Sequence, residues 1–368
     1  MTRVLTDRAL GRATLARQFL LERADVTALE AVEHLAGLQA QAPAPPYLAL
    51  WARVKNFAAE ELSTLIERRQ VVRLVAMRGT VFVMSAADAA SFRGTVQSIM
   101  DRDLHTNTAH RAALSGMDLA AFAQAGRELV SDGPLTQMQM RPLLAERFPG
   151  RSPEGLAHGI RGLLPMVQVP PRGLWGRSGP PALTTLESWL GTELDSTPVP
   201  DALVLRYLAA FGPASVKDAQ AWSGLTRLAE VFERLRPNLI TFVNERGTEL
   251  FDLPGAPRPD DGTPPVRILA PFDNILLSHA DRSRIMDEQY RTRVFTVNGI
   301  IKPAVLVRGK VVGFTAESAK GDTARLTVSL FSQQSKTSMS SIEREARSLL
   351  RFLHPTISKH EISVEILT

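Results

Sequence analysis

The sequence contains no cysteine, which excludes disulfides, zinc fingers, iron–sulfur clusters and a thiol nucleophile. Its seven histidines are scattered, and His105 and His110 do not match a helical ligand pair. No metal and no cofactor is expected. No apolar run approaches the roughly 18–20 residues that span a bilayer. The opening "MTRVLTDRALGRATLARQ" also lacks the apolar segment of a signal peptide. The expected compartment is the cytoplasm, with no membrane partner. A phosphate loop, a dinucleotide fingerprint and a nucleophile elbow are missing too, since "GRSG" at Gly176 has the wrong spacing. Acidic residues are plentiful, yet nothing marks two of them as an acid and base pair. No low-complexity linker interrupts the chain, which predicts a compact, rigid assembly.

What is present is globular: 368 residues, 44% hydrophobic and 22% charged, with 24 Gly and 24 Pro, enough for about two to four modules. The formal charge is +5 and arginine outnumbers lysine, a weak pointer toward a polyanion.

Three segments share one plan. In the clearest, Asp201 to Phe211 has a helical apolar period that Gly212-Pro213 ends. Ser215 with Asp218 forms a capping-box start for a second helix, and Leu225 to Leu235 a third. Leu239 to Val243 and Glu249 to Asp252 then read as a hairpin around Asn244-Glu245-Arg246-Gly247. Three helices and a hairpin make a winged helix. The middle copy has a helix over Leu119 to Val130, a capping box at Thr136 and Gln139, and a helix opened by Ser152-Pro153. Its wing is "VQVPPRGLWG", turning at Pro170 to Gly173. The first copy has helices over Arg8 to Leu21, from Thr27 with Glu30, and over Glu60 to Arg69. Its hairpin "VVRLVAMRGTVFVM" turns at Arg78-Gly79. From about Val266 short strands dominate, followed by a helix at Ser341 to Phe352 and a strand at Glu361 to Leu367. The expected class is α+β, three tandem winged helices and a β-rich C-terminal domain, with boundaries 1–112, 113–196, 197–260 and 261–368. The third helices carry mixed charge (Arg227, Glu230, Glu233, Arg234; Glu60, Glu61, Glu67, Arg68, Arg69). That suits a scaffold better than a groove-reading helix, because carboxylates facing phosphates weaken binding.

One copy departs from the plan through an insertion, Gln39 to Asn56, that begins "QAQAPAPP". In a helix Gln39 and Gln41 would point about 200° apart; in extended chain they share a face. Pro43, Pro45 and Pro46 bias the preceding residues away from helix, so the pair converges only if the helix stops near Ala40. A glutamine offers one carbonyl acceptor and two N–H donors and does not titrate. Two such amides can orient a water but cannot act as a strong base. Oriented water suffices where the leaving group departs easily, as from an N7- or N3-alkylated purine, whose base carries positive charge until the glycosidic bond ionises. Positioning and electrostatics are then the protein's main contribution. The plainer alternative is that both amides cap helix carbonyls or meet solvent.

The chain resembles the tandem winged-helix DNA glycosylases typified by AlkZ and YcaQ. The resemblance rests on "GLQAQAPAPPYLALWAR", "RGTVFVM", "VQVPPRGLWGRSG", "YLAAFGPASVKDAQAWSGL", "LAPFDNILLSHADRSR" and "NGIIKPAVLVRGKVVG", in that order. It implies a C-shaped monomer gripping duplex DNA and excising N-alkylated purines, N7-alkylguanine among them, with unhooking of interstrand crosslinks. The family's catalytic motif is Gln, an apolar residue, then Gln or Asp, which assigns catalysis to Gln39 and Gln41. The Gln-terminated form resembles the branch tied to self-resistance against DNA-alkylating natural products. The expected partner is double-stranded DNA carrying alkylated or crosslinked purines. Expected DNA contacts are Arg78 and Arg172 at hairpin turns, Asp273, Asn274, His279, Arg282 and Arg284 in one loop-rich stretch, and Lys320 and Arg325 at a polar turn that could enter a groove. For the 273–284 stretch the alternative is a hydrogen-bonded corner between domains, and for the turn a solvated loop. Trp51 and Trp175 stack on bases or, as their apolar neighbours favour, pack in the core. The rival function is a non-enzymatic winged-helix regulator or drug-sequestering DNA binder.

Overall fold

Local sequence signals set most helix starts. In the structure, a computed structural model describing residues 3–195 and 199–367, Thr27 with Glu30, Thr136 with Gln139 and Ser215 with Asp218 each form reciprocal capping boxes. Each satisfies two backbone N–H groups that the first turn would leave bare. The helices they open run Ala28–His34, Gln137–Arg147 and Val216–Ser223. Ser152 caps Pro153–Leu163, with proline at the first helical position. Gly224, left-handed at φ 83°, closes Val216–Ser223.

The hairpins do not stand alone. Val71–Val75 and Val81–Ser85 pair with each other, and Val71–Val75 also pairs with Met166–Val169 of the next unit, Arg73 opposite Gln168 and Leu74 opposite Val167. The two units thereby share one antiparallel sheet of six strands. Its edges are Leu38–Gln39 at one end and Leu135–Thr136 at the other. The middle hairpin is wider than expected. Its return strand is Ala182–Thr185 rather than the Leu174 region, because residues 171–177 coil through successive turns.

The third hairpin, Ile240–Asn244 with Glu249–Asp252, takes the N-terminal Val4–Leu5 as a parallel neighbour. The chain's beginning is therefore stitched to its middle. The C-terminal part is a five-stranded sheet ordered Arg267–Ile268, Ala304–Val307, Lys310–Lys320, Thr323–Leu330 and Lys359–Ile366. The helix Lys336–Leu353 lies against it through Ile342, Ala346, Leu349 and Leu350, a helical stripe at intervals of four, three and one.

One apolar core joins the first unit to this C-terminal sheet, and a second joins the shared sheet to the third unit. Of the expected boundaries, the one after 112 falls inside the helix Thr108–Leu114. The one after 196 lies outside the described residues. The one after 260 falls in the loop between Asp252 and Arg267. Among the described residues no helix is long and apolar enough to cross a membrane.

Candidate active site

The Gln39-Ala40-Gln41 motif becomes extended earlier than its prolines suggest. The helix Ala28–His34 ends at Leu35, and Ala36 and Gly37 turn the chain through left-handed conformations, φ 55° and 85°. A side chain on Gly37 would come within 2.9 Å of Met84 Cγ, so glycine meets both the turn and the close approach. Leu38–Gln39 then pairs with Val81–Ser85, Gln39 opposite Phe82. The prolines play a different part, since Pro45 and Pro46 open the helix Pro45–Arg53.

The motif is held at five points. Asn274 donates from Nδ2 to the Gly37 carbonyl at 2.8 Å. The Ala40 N–H donates to the Val81 carbonyl at 2.7 Å, and Arg73 donates from Nη2 to the Ala40 carbonyl at 2.9 Å. Arg78 donates from Nη2 to Gln39 Oε1 at 2.7 Å, and the Val81 N–H donates to Gln41 Oε1 at 3.1 Å. Guanidinium and backbone N–H groups only donate. The atoms they meet must therefore be the carboxamide oxygens, which fixes the orientation of both amides. The Nε2 groups of Gln39 and Gln41 have no partner among the described residues.

Gln41 is exposed and lines a cleft of about 510 Å³, together with Arg78, Arg102, Asp103, His110, His158 and Arg161. Gln39 is 7% exposed and adjoins this cleft through Arg78. Arg78 sits at the hairpin turn with φ 56°, and also donates to the Trp222 carbonyl. Burial, with the charge of Arg282 nearby, pulls its guanidinium down to about 10, so it is protonated at neutral pH. Arg73, a lone arginine in an apolar strand, is 1% exposed and likewise pulled down to about 10 by burial and by Arg172. Gly173 makes room for it, because a Cβ there would stand 2.4 Å from Arg73 Cδ.

The structure also joins residues that the sequence shows as scattered. Asp103 Oδ2 lies 3.2 Å from His158 Nε2 and 3.4 Å from His110 Nδ1. They come from three helices, which is why no spacing announces them. As donors for a metal they are close enough, but the imidazoles stack at 3.4 Å and 15°. In-plane lone pairs from nearly parallel rings do not meet on one ion. Burial and the neighbouring His110 outweigh Asp103 and keep His158 below the usual histidine range. Arg102 and Arg161 line the same cleft, and their guanidinium groups have no hydrogen bond or ion pair among the described residues.

The 273–284 stretch is the hydrogen-bonded corner, not a lining of the cleft. Asp273 forms a two-pronged ion pair with Arg53 at 2.7 and 2.8 Å, both side chains 1% exposed. Asn274 braces Gly37. His279 is 1% exposed; its Nε2–H donates to the Phe211 carbonyl at 3.1 Å. Burial and Arg284 push it down to about 3. Arg284, 5% exposed, donates to the Pro213 carbonyl at 2.9 Å. All four side chains are buried, and none lines the Gln41 cleft. Arg282 is half-buried over the Phe295 ring, donating from Nε to the Leu276 carbonyl at 2.8 Å.

Elsewhere, Arg172 is half-buried and donates to the Gly179 carbonyl at 2.8 Å. Lys320 is exposed at the end of its strand beside the Gly321-Asp322 turn. Arg325 is exposed but paired with Glu361, Nε at 3.1 Å. Trp51 and Trp175 both pack against Phe352, with ring centroids 6.2 and 5.3 Å away; they belong to the core.

This chain is similar to known proteins over nearly its whole length. A relative from Streptomyces sahachiroi, an interstrand DNA cross-link repair glycosylase, is 23% identical over 356 residues, covering 92% of this chain and 94% of its own. The solved structure of the Streptomyces sahachiroi DNA glycosylase AlkZ superposes with a TM-score of 0.82 at 20% identity, covering 99% of this chain and 100% of that one. The family of AlkZ-like DNA glycosylases matches residues 32–352. This chain therefore belongs to the AlkZ-like DNA glycosylases.

Proposed function

We propose that the enzyme hydrolyses the N-glycosidic bond of N-alkylated purines, N7-alkylguanine first, with a water held by Gln39 and Gln41. The reading extends to unhooking interstrand crosslinks, and to self-resistance against a DNA-alkylating natural product as the biological setting. The observation that carries it is the fixed orientation of two neutral amides, with Gln41 lining an open cleft and the buried Gln39 joined to it through Arg78. One hairpin supplies a donor to each carboxamide oxygen, leaving a second lone pair and two N–H groups on each glutamine for water and substrate.

The C1′–N9 bond breaks with its electron pair staying on the base, which leaves neutral because its alkylated ring was already positive. The sugar passes through an oxocarbenium ion, water oxygen bonds to C1′, and the water's surplus proton is released to solvent. No side chain must change protonation state. Pre-set amides avoid reorganisation during the step. The charges of Arg78, Arg102 and Arg161 oppose the oxocarbenium until DNA phosphates neutralise them, so backbone binding and chemistry are coupled through the cleft. An open cleft also suits a crosslinked base, which cannot swing into a closed pocket.

The finer architecture proposed is three winged helices arranged in a C, acting as a monomer. The test is Gln41→Ala on N7-methylguanine duplex. Duplex affinity should stay within about twofold while single-turnover base release falls by about 10²–10³. Undiminished release would overturn the assignment.

A further inference from the structure

A second cavity, of about 520 Å³, lies between the helix Asp7–Arg17, the loop at Thr263-Pro264 and the turn between Ala304–Val307 and Lys310–Lys320. Its lining includes Arg8, Arg12, Arg284, Arg308 and Lys310, and no carboxylate. The Gln41 cleft, by contrast, holds the Asp103 carboxylate among its cations. Arg8 and Arg308 are exposed and have no hydrogen bond or ion pair among the described residues. Arg12 is 9% exposed and spends only its Nε, on the Pro259 carbonyl at 3.1 Å, leaving both terminal nitrogens unused.

The turn is built for this arrangement at some cost. Arg308 has φ 51° and Gly309 φ 82°, a two-residue turn whose first position normally takes Asn, Asp or Gly. Gly309 packs on the helix, where an added Cβ would meet Leu15 Cδ1 at 2.9 Å. An arginine in left-handed backbone, anchored against a helix that presents two more, concentrates positive charge in a partly desolvated space. Lys310 donates from Nζ to the Ser283 carbonyl, while the guanidinium groups keep N–H donors that a counter-anion would satisfy. Forked guanidinium groups match phosphate oxygens in pairs.

We infer that this cavity is a phosphate-binding site, separate from the Gln39–Gln41 cleft, formed by Arg8, Arg12, Arg308 and Lys310. Its ligand is a phosphate group, either of flanking DNA backbone or of a free phosphorylated compound.

The test uses the full chain and the double variant Arg8→Gln/Arg308→Gly. Glycine suits the backbone angle at 308, so the turn is kept while its charge is lost. Calorimetric titration with inorganic pyrophosphate at fixed ionic strength should show binding that weakens about tenfold or more in the variant. Titration of a short undamaged duplex across a salt series identifies the source. Loss of a backbone contact lowers the slope of log affinity against log salt by about 0.9 per phosphate. An unchanged slope with pyrophosphate binding lost assigns the site to a free phosphorylated compound. Base release from N7-methylguanine duplex under saturating single-turnover conditions should be unchanged, separating this site from the glutamine chemistry. Pyrophosphate binding no tighter than chloride in the parent protein, or equal in the variant, would overturn the inference.

Discussion

Two stretches with side chains assigned to function in sequence, 37–41 as catalytic amides and 273–284 as DNA contacts, are used by the fold in different ways. The second is rich in turns and charged side chains, whereas the first carries two amides on a segment that is extended at Gln39. In the second, Asp273, Asn274, His279 and Arg284 are buried and hydrogen-bonded within the protein. In the first, the carboxamide oxygens are fixed but the amide nitrogens stay unspent beside a cleft. What separates a bracket from a site is therefore the hydrogen-bonding capacity left over after folding, not polarity. The two regions are also linked, since Asn274 holds the Gly37 carbonyl at 2.8 Å: the buried corner positions the chain that leads into the glutamine motif.

That contrast can be attacked first through stability. Arg53→Ala strands the Asp273 carboxylate in the core and should cost about 3–5 kcal/mol, read as a fall in urea midpoint or Tm. Arg53→Met with Asp273→Leu should recover much of it. A single variant of parental stability would remove the bracket from the account.

Arg78→Ala comes next. It frees Gln39 Oε1 as well as removing one cleft charge, and loss of the held amide should dominate, so single-turnover release at saturating enzyme should drop about ten- to a hundredfold. Arg78→Lys should restore part of the loss. An unaltered rate would mean that the amide's orientation is immaterial.

Acid stability follows. His279, held at about 3 against an ordinary 6.5, stays neutral when folded while the unfolded chain takes up a proton. Stability should therefore fall as pH drops from about 6.5 toward about 3, by at most about 1.4 kcal/mol per pH unit. His279→Asn, followed by chemical denaturation at several pH values, should flatten that slope. The smallest effect belongs to the surface: Arg325→Ala breaks an exposed pair with Glu361 and should change stability by less than about 1 kcal/mol.

The sequence revealed whatever short-range chemistry decides. Capping boxes at Thr27, Thr136 and Ser215, the Ser152-Pro153 start and the turn at Arg78-Gly79 all stand where local pattern places them. The helix before the glutamines ends about five residues sooner than the prolines indicate, because Ala36 and Gly37 adopt left-handed backbone. A left-handed alanine has no composition signal. Contacts across long separations were equally hidden: Arg53 with Asp273, Asn274 with Gly37, and the shared sheet formed at Arg73 and Gln168. The stacked His110–His158 pair meets on Asp103 only once three helices have packed. An extended chain at Gln39 was legible from the sequence, while the donors that hold the two carboxamide oxygens were not. Arg73 left one trace, a charge inside an otherwise apolar strand.

The most direct measurement is the single-turnover rate of base release from N7-methylguanine duplex between about pH 6 and 9. Neutral amides do not titrate, and Arg78, at about 10, keeps its proton across that window. A nearly level profile is therefore expected if the two amides hold the water. A steep bell within the window would contradict it and move the chemistry to a side chain that ionises.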